Sequence, residues 1–485
     1  MKFKRLFSIS MVIILALAGS LWQSAAVSAG SGWLTVGPAG FSAGAASETS
    51  LALDKNNVPY VAYEDGANGY KVTVMKYNGA AWETVGSAGF SAGLSVGEDL
   101  VLDKNNVPYV AYDDGANGYK ATVMKYNGAT WETVGPADFS NDAAWYLSLA
   151  LDSHGTPYVA YTQLSSSPEN NRATVMKFNG TGWVPVGVPY FTPVSASYLS
   201  LKLDKNDTPY VAYRDGPYRG AVVMKYDNGV WANVGSPFFS DGNEIGNSLA
   251  LDSSNMPYVA YQDKNSRVMV KMYNGTDWVT VGSPEFSLSM IYYPYLVLDS
   301  NDTPYVAYIE QGTLGIDKSA TVMKYTGGAW VPVGSAGFSP YTTWSLSLAL
   351  DSNGTPYVSY EDGSQGNHTT VMKYYAVLPP AGFNKTAPTN AATEVNPNAT
   401  LSWAASDGAA SYAYCYDTTN NNICNASWIS AGANTSVSLS GLKAKTTYYW
   451  QVRAVNGTGT TYSDASTWWN FTTSNYKVFL PLIRR

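Results

Sequence analysis

Four short apolar runs separated by polar turns make up a unit of about fifty residues, clearest over Ser50–Gly97. The runs are Leu51-Ala52-Leu53-Asp54, Pro59-Tyr60-Val61-Ala62-Tyr63, Val74-Met75-Lys76-Tyr77-Asn78-Gly79 and Trp82-Glu83-Thr84-Val85-Gly86. Each is too short for an amphipathic helix and rich in Val, Tyr, Leu and Trp, and Asn, Asp and Gly punctuate them. That pattern predicts four strands per unit. The unit recurs seven times: the Asp that ends the first run falls at Asp54, Asp103, Asp152, Asp204, Asp252, Asp299 and Asp351. Self-similarity at this period, with four strands per copy, predicts the blades of a β-propeller.

The two ends of the array fit one another. The fourth-strand signal Trp-x-x-Val-Gly begins at Trp33, Trp82, Trp131, Trp183, Trp231, Trp278 and Trp330. Trp33 precedes any complete unit, while the seventh unit runs through Val371-Met372-Lys373-Tyr374 into Leu378-Pro379-Pro380 without a fourth strand. The expected fold is therefore all-β: a seven-bladed β-propeller over 30–377, with the N-terminal strand at Trp33–Gly37 closing the last blade so that no sheet edge is left open. Residues 32–377 resemble propellers of the broad bacterial repeat type. That resemblance implies an architecture and no activity. The Ser-x-Asp-x-Gly-x-x-Trp box of sialidases, the WD dipeptide and the kelch double glycine are absent.

After residues 378–385, a linker, the composition shifts to Thr, Ala and Asn. Leu401-Ser402-Trp403, Ser411-Tyr412-Ala413-Tyr414, Leu442 ahead of Thr447-Tyr448-Tyr449-Trp450-Gln451-Val452-Arg453-Ala454, and Trp469-Asn470-Phe471-Thr472-Thr473 resemble a fibronectin type III module over 386–475. The resemblance implies a β-sandwich with a tyrosine corner. The only two cysteines, Cys415 and Cys424, flank an Asn-rich turn, and a disulfide across it is expected. On the chain-entropy view it adds roughly 2–3 kcal/mol.

Composition and charge narrow the setting. Lys2, Lys4 and Arg5 precede the apolar run Leu6–Leu21, and Val27-Ser28-Ala29 offers small residues for cleavage, so 1–29 reads as a secretory signal peptide. The expected location is outside the cell or on its surface, with no transmembrane segment in the mature chain. The tail at 476–485 resembles apolar C-terminal tails of some exported bacterial proteins, which implies sorting or surface retention at the cell envelope; a last sandwich strand or a frayed end is the alternative. With a net charge of −7 and no basic run beyond the first residues, no nucleic-acid partner is expected.

If each blade runs outward from the axis, the turns after the first and third strands share one face, and those after the second and fourth share the other. Among the seven copies the first set is nearly uniform and the second varies in length and charge. Binding residues belong on variable loops held by a rigid scaffold. The candidates on that face are the carboxylates Glu64, Asp65, Asp113, Asp114, Asp215, Asp263, Glu310, Glu361 and Asp362, and the cations Arg172, Arg214, Arg219 and Arg267. They are joined by the rings of Tyr70, Tyr119, Trp145, Tyr146, Tyr190, Tyr218, Tyr292, Tyr293, Tyr341 and Trp344. Aromatic faces beside polar groups suit a sugar or a protein anchor. The ligand-binding set is Glu64, Asp65, Asp114, Trp145, Tyr146, Arg172, Arg214, Tyr218, Arg267 and Trp344, and the partner a glycan or an extracellular protein. A polysaccharide hydrolase or lyase is the rival reading, since two carboxylates suffice; a surface protein without a specific ligand is the third. The two histidines, His154 and His368, fall on different blades, so neither a catalytic triad nor a His-ligated metal centre is expected. No cofactor is implied. The repeated Asp residues invite calcium, but Asp299-Ser300-Asn301-Asp302-Thr303 supplies too few oxygens for a shell of about six to eight. Capping of their own turns is the expected role.

Overall fold

The computed structural model describes residues 32–475, except 165–170, 217–219, 241–245, 285, 313–317, 341–342, 377–379, 426 and 458. Residues 1–29, expected to be a signal peptide, and the tail at 476–485, together with Tyr218, Arg219 and Tyr341, lie outside the described residues. The chain divides into two compact units, one over 31–376 and one from 377 onward.

The first unit consists of four-stranded antiparallel sheets, seven of them among the described residues. The first sheet joins Ala46–Leu53, Pro59–Asp65, Lys71–Tyr77 and Trp82–Thr84 in sequence order, and the next five repeat it. The last joins Thr343–Leu350, Pro356–Asp362 and His368–Tyr375 and takes Gly32–Thr35 as its fourth strand, Trp33 lying opposite Tyr374. The first strands touch one another in sequence order and the last touches the first, so the array is a closed ring of β-propeller type. The second strand of each copy lies between neighbouring sheets, which is why Pro-Tyr-Val-Ala-Tyr is apolar without alternation: Val61 and Ala62 are both fully buried.

The Trp-x-x-Val-Gly signal joins one sheet to the next. Trp82 Nε1 donates to Val36 O at 2.7 Å, and the same bond recurs from Trp131, Trp183, Trp231, Trp278 and Trp330 to the Val of the preceding copy. Trp33, in the last sheet, makes it to Val333 O of the sixth at 2.8 Å, and the Trp82–Val36 bond spans the join of first and last sheets. Each indole stacks on a Phe from the preceding connection, as Trp33 does on Phe338 with centroids 4.0 Å apart. The glycine that follows Val is needed twice over: Gly37 has φ +73°, and a Cβ there would sit 2.8 Å from the Tyr77 ring.

The repeated Asp residues cap their own turns. Asp54 Oδ1 accepts the N–H groups of Asn56 and Val58, each at 2.8 Å, and the other six copies do likewise. Replacing one of them, Asp204→Ala, strands two N–H groups and is expected to cost about 1–3 kcal/mol. Thermal melts with and without EDTA check this: both proteins should melt independently of the chelator.

The second unit contains a three-stranded sheet, Lys385–Ala387, Thr400–Trp403 and Ser436–Ser438, and a larger sheet built around Thr447–Asn456. Leu401 and Trp403 from the first share a core with Trp450, Val452 and Phe471 from the second. Tyr448 Oη accepts the Lys443 N–H at 3.0 Å, the corner that Leu442 and Tyr448 announce. Cys415 and Cys424 are disulfide-bonded, tying Ser411–Asp417 to the segment that leads into Ile429–Gly432. No described helix is long and apolar enough to cross a membrane.

Candidate functional site at the mouth of the ring

The first strand of most copies contains an irregularity just ahead of Leu-x-Leu. Pairing shifts register between Ser47 and Ser50, Trp145 and Ser148, Ser197 and Ser200, Tyr292 and Tyr295, and Trp344 and Leu346. The extra residue, Glu48, Tyr146, Tyr198, Tyr293 or Ser345, is left-handed, with φ between +39° and +54°. A bulge re-aims a side chain that the pleat would otherwise turn away, and non-glycine residues in this region cost on the order of 1–3 kcal/mol each. All five border one cavity of about 650 Å³. In the second and fifth sheets the equivalent position is Gly97 or Gly246, with no side chain at all. Beside those two glycines stand Glu98 and Asn247, which line the same cavity.

Below the bulges the inner strands are linked around the ring. The side chain of Ser50, Asp99, Ser148, Ser200 or Ser248 accepts the N–H of the equivalent Leu in the following sheet, and Ser347 accepts that of Leu51, at 2.8–3.1 Å. Six copies thus use a short oxygen-bearing side chain. The sixth sheet has Tyr295, whose hydroxyl bonds Ser347 instead; burial pushes that phenol up to about 12.

Charge is divided across the mouth. Glu48, Glu64, Glu98, Asp113 and Glu361 gather on the side formed by the seventh, first and second sheets. Burial, then the like charges of Glu48, Asp113 and Glu361, push Glu64 up to about 8, against one hydrogen bond from Ser47. Burial raises Glu98 well above the ordinary carboxyl range, and Glu64, Glu48, Asp113 and Asp99 add to it. Glu361 is pushed up to about 7 by burial and by Glu48. Asp113 reaches about 6 through burial, held down by the Val96 N–H and the Ser95 hydroxyl. Glu48 is raised by burial, with Ser345 opposing. Both carboxyl oxygens of Glu98 and both polar atoms of the Asn247 side chain are buried without a hydrogen-bond partner. On the other side the Tyr146 and Tyr198 rings lie 4.9 Å apart. Arg214 acts electrostatically on the Tyr146 phenol, and Lys202 on Asp99.

Of the ten residues expected to bind ligand, Tyr146 and Trp344 line this cavity, Glu64 stands behind its acidic wall, and Arg214 stands beside Tyr146. Lys318 approaches the Trp344 ring to 3.0 Å. Trp145 is exposed and packs edge-to-face on Tyr146. Asp65 and Asp114 are buried and occupied: Asp65 caps Gly66–Asn68 and bonds Thr73, and Asp114 accepts from Ala116 and Gly93. Arg172 begins a third strand opposite Gln163, and Arg267 donates to Ser287 O at 2.7 Å; neither borders the cavity. Glu48, Glu98, Asp99, Tyr198, Lys202 and Asn247 escaped the sequence reading because they belong to strands. The signal was available: with the copies aligned on Leu-x-Leu, the third residue before the first Leu reads Glu, Gly, Tyr, Tyr, Gly, Tyr, Ser.

Among the described residues, the group close enough to share a metal ion is Asp152, His154 and Asp207. Its oxygens are already engaged: Asp152 Oδ1 accepts from its own turn, and Asp207 accepts the N–H and hydroxyl of Ser153. Ser253 and Asp302 repeat that clasp without a histidine, so it is a link between sheets.

No family model and no curated protein matches the chain. Among solved structures, a polysaccharide lyase described as an ulvan lyase bound to -[GlcA(1-4)Rha3S]- aligns at 13% identity with a TM-score of 0.48, over 69% of this chain and 94% of its own. The fucose-specific lectin of Aleuria aurantia aligns at 14% and 0.43, over 62% and 99%. A lectin in complex with alpha methyl fucoside aligns at 17% and 0.41, over 60% and 96%. Likenesses of this strength name no ligand or reaction for this chain.

Proposed function

We propose that this chain is an exported recognition protein that binds a saccharide in the mouth cavity of a seven-bladed β-propeller. In this reading the propeller spans 30–377 with Trp33–Gly37 completing its last blade, 378–385 is a linker, and 386–475 is a fibronectin type III-like β-sandwich that presents the ring. The disulfide supports an oxidising location. The observation that carries the reading is the pairing of aromatic and unsatisfied polar groups in one concave site. Tyr146, Tyr198, Tyr293 and Trp344 supply flat apolar area, while Asn247 and Glu98 have buried polar atoms without partners. Sugars present both an apolar face and hydroxyl groups that donate and accept, so they meet both needs at once.

Gly97→Tyr tests this without damaging the scaffold. No atom lies within 4 Å of a Cβ built at Gly97, and the third, fourth and sixth copies carry Tyr there. The variant is expected to melt like the parent and to lose binding about tenfold or more on a panel of oligosaccharides measured by calorimetry. Asn247→Ala should weaken binding as well. Release of reducing ends or unsaturated products would replace this reading with a hydrolase or lyase. Neither binding nor product would leave a structural surface protein.

A further inference from the structure

The acidic half of the cavity is built for a partner of opposite sign. Glu48, Glu98 and Glu361 line it, with Glu64 and Asp113 close behind. The strongest charge effects on Glu64, and likewise on Glu98, come from other carboxylates. The cations of the mouth have other neighbours: Lys202 acts on Asp99, Arg214 acts on Tyr146 from the fourth sheet, and Lys318 sits over the Trp344 ring. An acidic cluster alone identifies nothing, but two further features point to a ligand. Asn247, nine-tenths buried and lining the same cavity, has neither its Oδ1 nor its Nδ2 in a hydrogen bond. Glu98 likewise holds two buried oxygens without a donor, and buried polar atoms in this condition are costly unless something fills the gap.

A metal ion does not fit the spread of these groups. Among the described residues, no three of the cavity carboxylates bring an oxygen each within 4.8 Å of one another, whereas calcium draws its oxygens to about 2.3–2.6 Å. An ammonium group attached to a larger body fits better, because its three N–H donors can reach separate acceptors.

We propose that the ligand of this cavity is a cationic amino sugar, its ammonium set against Glu48, Glu98 and Glu361 and its ring carried over Tyr146 and Tyr198. This rests on the reading of the mouth as a saccharide site. The positive charge answers a wall whose strongest mutual interactions are between carboxylates, and the sugar hydroxyls answer Asn247. Binding draws protons off the wall, because the ammonium favours the ionised carboxyls over the neutral ones.

The test is calorimetry on the full chain at about pH 6.5 with three probes: a glucosamine oligosaccharide with free amines, its N-acetylated counterpart, and 1,6-hexanediamine. The free-amine oligomer is expected to bind about tenfold or more tightly than the acetylated one, with a heat that depends on the buffer's ionisation enthalpy because protons are released. Glu98→Gln and, separately, Glu361→Gln should bring the ratio of the two affinities toward one. Since each removes an ionisable carboxyl from a crowded wall, neither should lower the melting temperature at pH 8. Equal or tighter binding of the acetylated oligomer would overturn the ammonium and leave the saccharide reading standing. Binding of the diamine as tightly as the amino sugar would keep the ammonium and sink the saccharide. Failure of all three probes would sink both, and displacement of the amine by micromolar calcium would overturn the proposal in favour of a metal.

Discussion

Trp33→Ala is expected to lower the melting temperature of the ring by roughly 5–10 °C, and deletion of Trp33–Gly37 by more. Loss of a buried Trp costs about 3–5 kcal/mol, and each kcal/mol moves the midpoint of a domain of this size by roughly 2 °C. Trp33 is 8% exposed, stacks on Phe338, and donates to Val333. Its strand is also the fourth strand of the last sheet, and Val36 N–H bonds Val371 O. Without it His368–Tyr375 presents an unpaired edge, and the first and last sheets lose one of their links. Differential scanning calorimetry of the parent and both variants checks this. An unchanged transition would show that the ring holds without its N-terminal strand.

Stability is also expected to fall as pH rises from 5 to 8. Glu64 titrates near an ordinary 4.5 in the unfolded chain and at about 8 in the folded one, and Glu361 at about 7. Below about 4.5 both states hold the proton and the groups contribute no difference. Between that value and about 8 the unfolded chain ionises while the folded one retains its protons, so the balance shifts toward unfolding until the folded carboxyls ionise too. At about 1.4 kcal/mol per unit, Glu64 alone withdraws on the order of 5 kcal/mol across this window, and the half-exposed Glu361 adds a smaller, solvent-screened share. The groups facing it, Glu48, Glu98, Asp99 and Asp113 with Lys202 and Arg214 opposite, are all on the ring. Chemical denaturation at pH 5, 6.5 and 8 measures the slope, and Glu64→Gln should flatten it. A profile that rises toward pH 8 would mean that the carboxyls are ionised and matched.

The scaffold was legible because it is repetitive. Leu-x-Leu-Asp, Pro-Tyr-Val-Ala-Tyr and Trp-x-x-Val-Gly each mark a strand or a turn, and repetition separates such marks from chance. The displaced copy at Trp33 even announced how the ends meet. The site was only half legible, because the loop rule looks for function between strands. Tyr146 and Trp344 were found since they lie where a connection enters a strand. Glu98 and Asn247 open their strands too, but they were missed since each is a single polar letter beside a glycine, which reads as part of a turn. Asp65 and Asp114 drew attention as acidic residues on the variable face, yet their carboxylates are spent on capping, a use that depends on which backbone N–H groups the turn brings near. The like-charged crowding of Glu64, Glu98 and Glu361 is invisible along the chain: they come from three sheets, and only closure of the ring sets them together.

The inner links carry one last consequence. Five copies place a serine at that position, but Asp99 and Tyr295 break the rule in the second and sixth sheets. A ring with seven equal copies would offer a ligand seven indistinguishable orientations. Here the exceptions, with Gly97 and Gly246 in the tier above, remove that rotational degeneracy. A molecule entering the mouth therefore meets a single orientation in which all its contacts are made, and the chain should saturate at one equivalent of ligand, not seven.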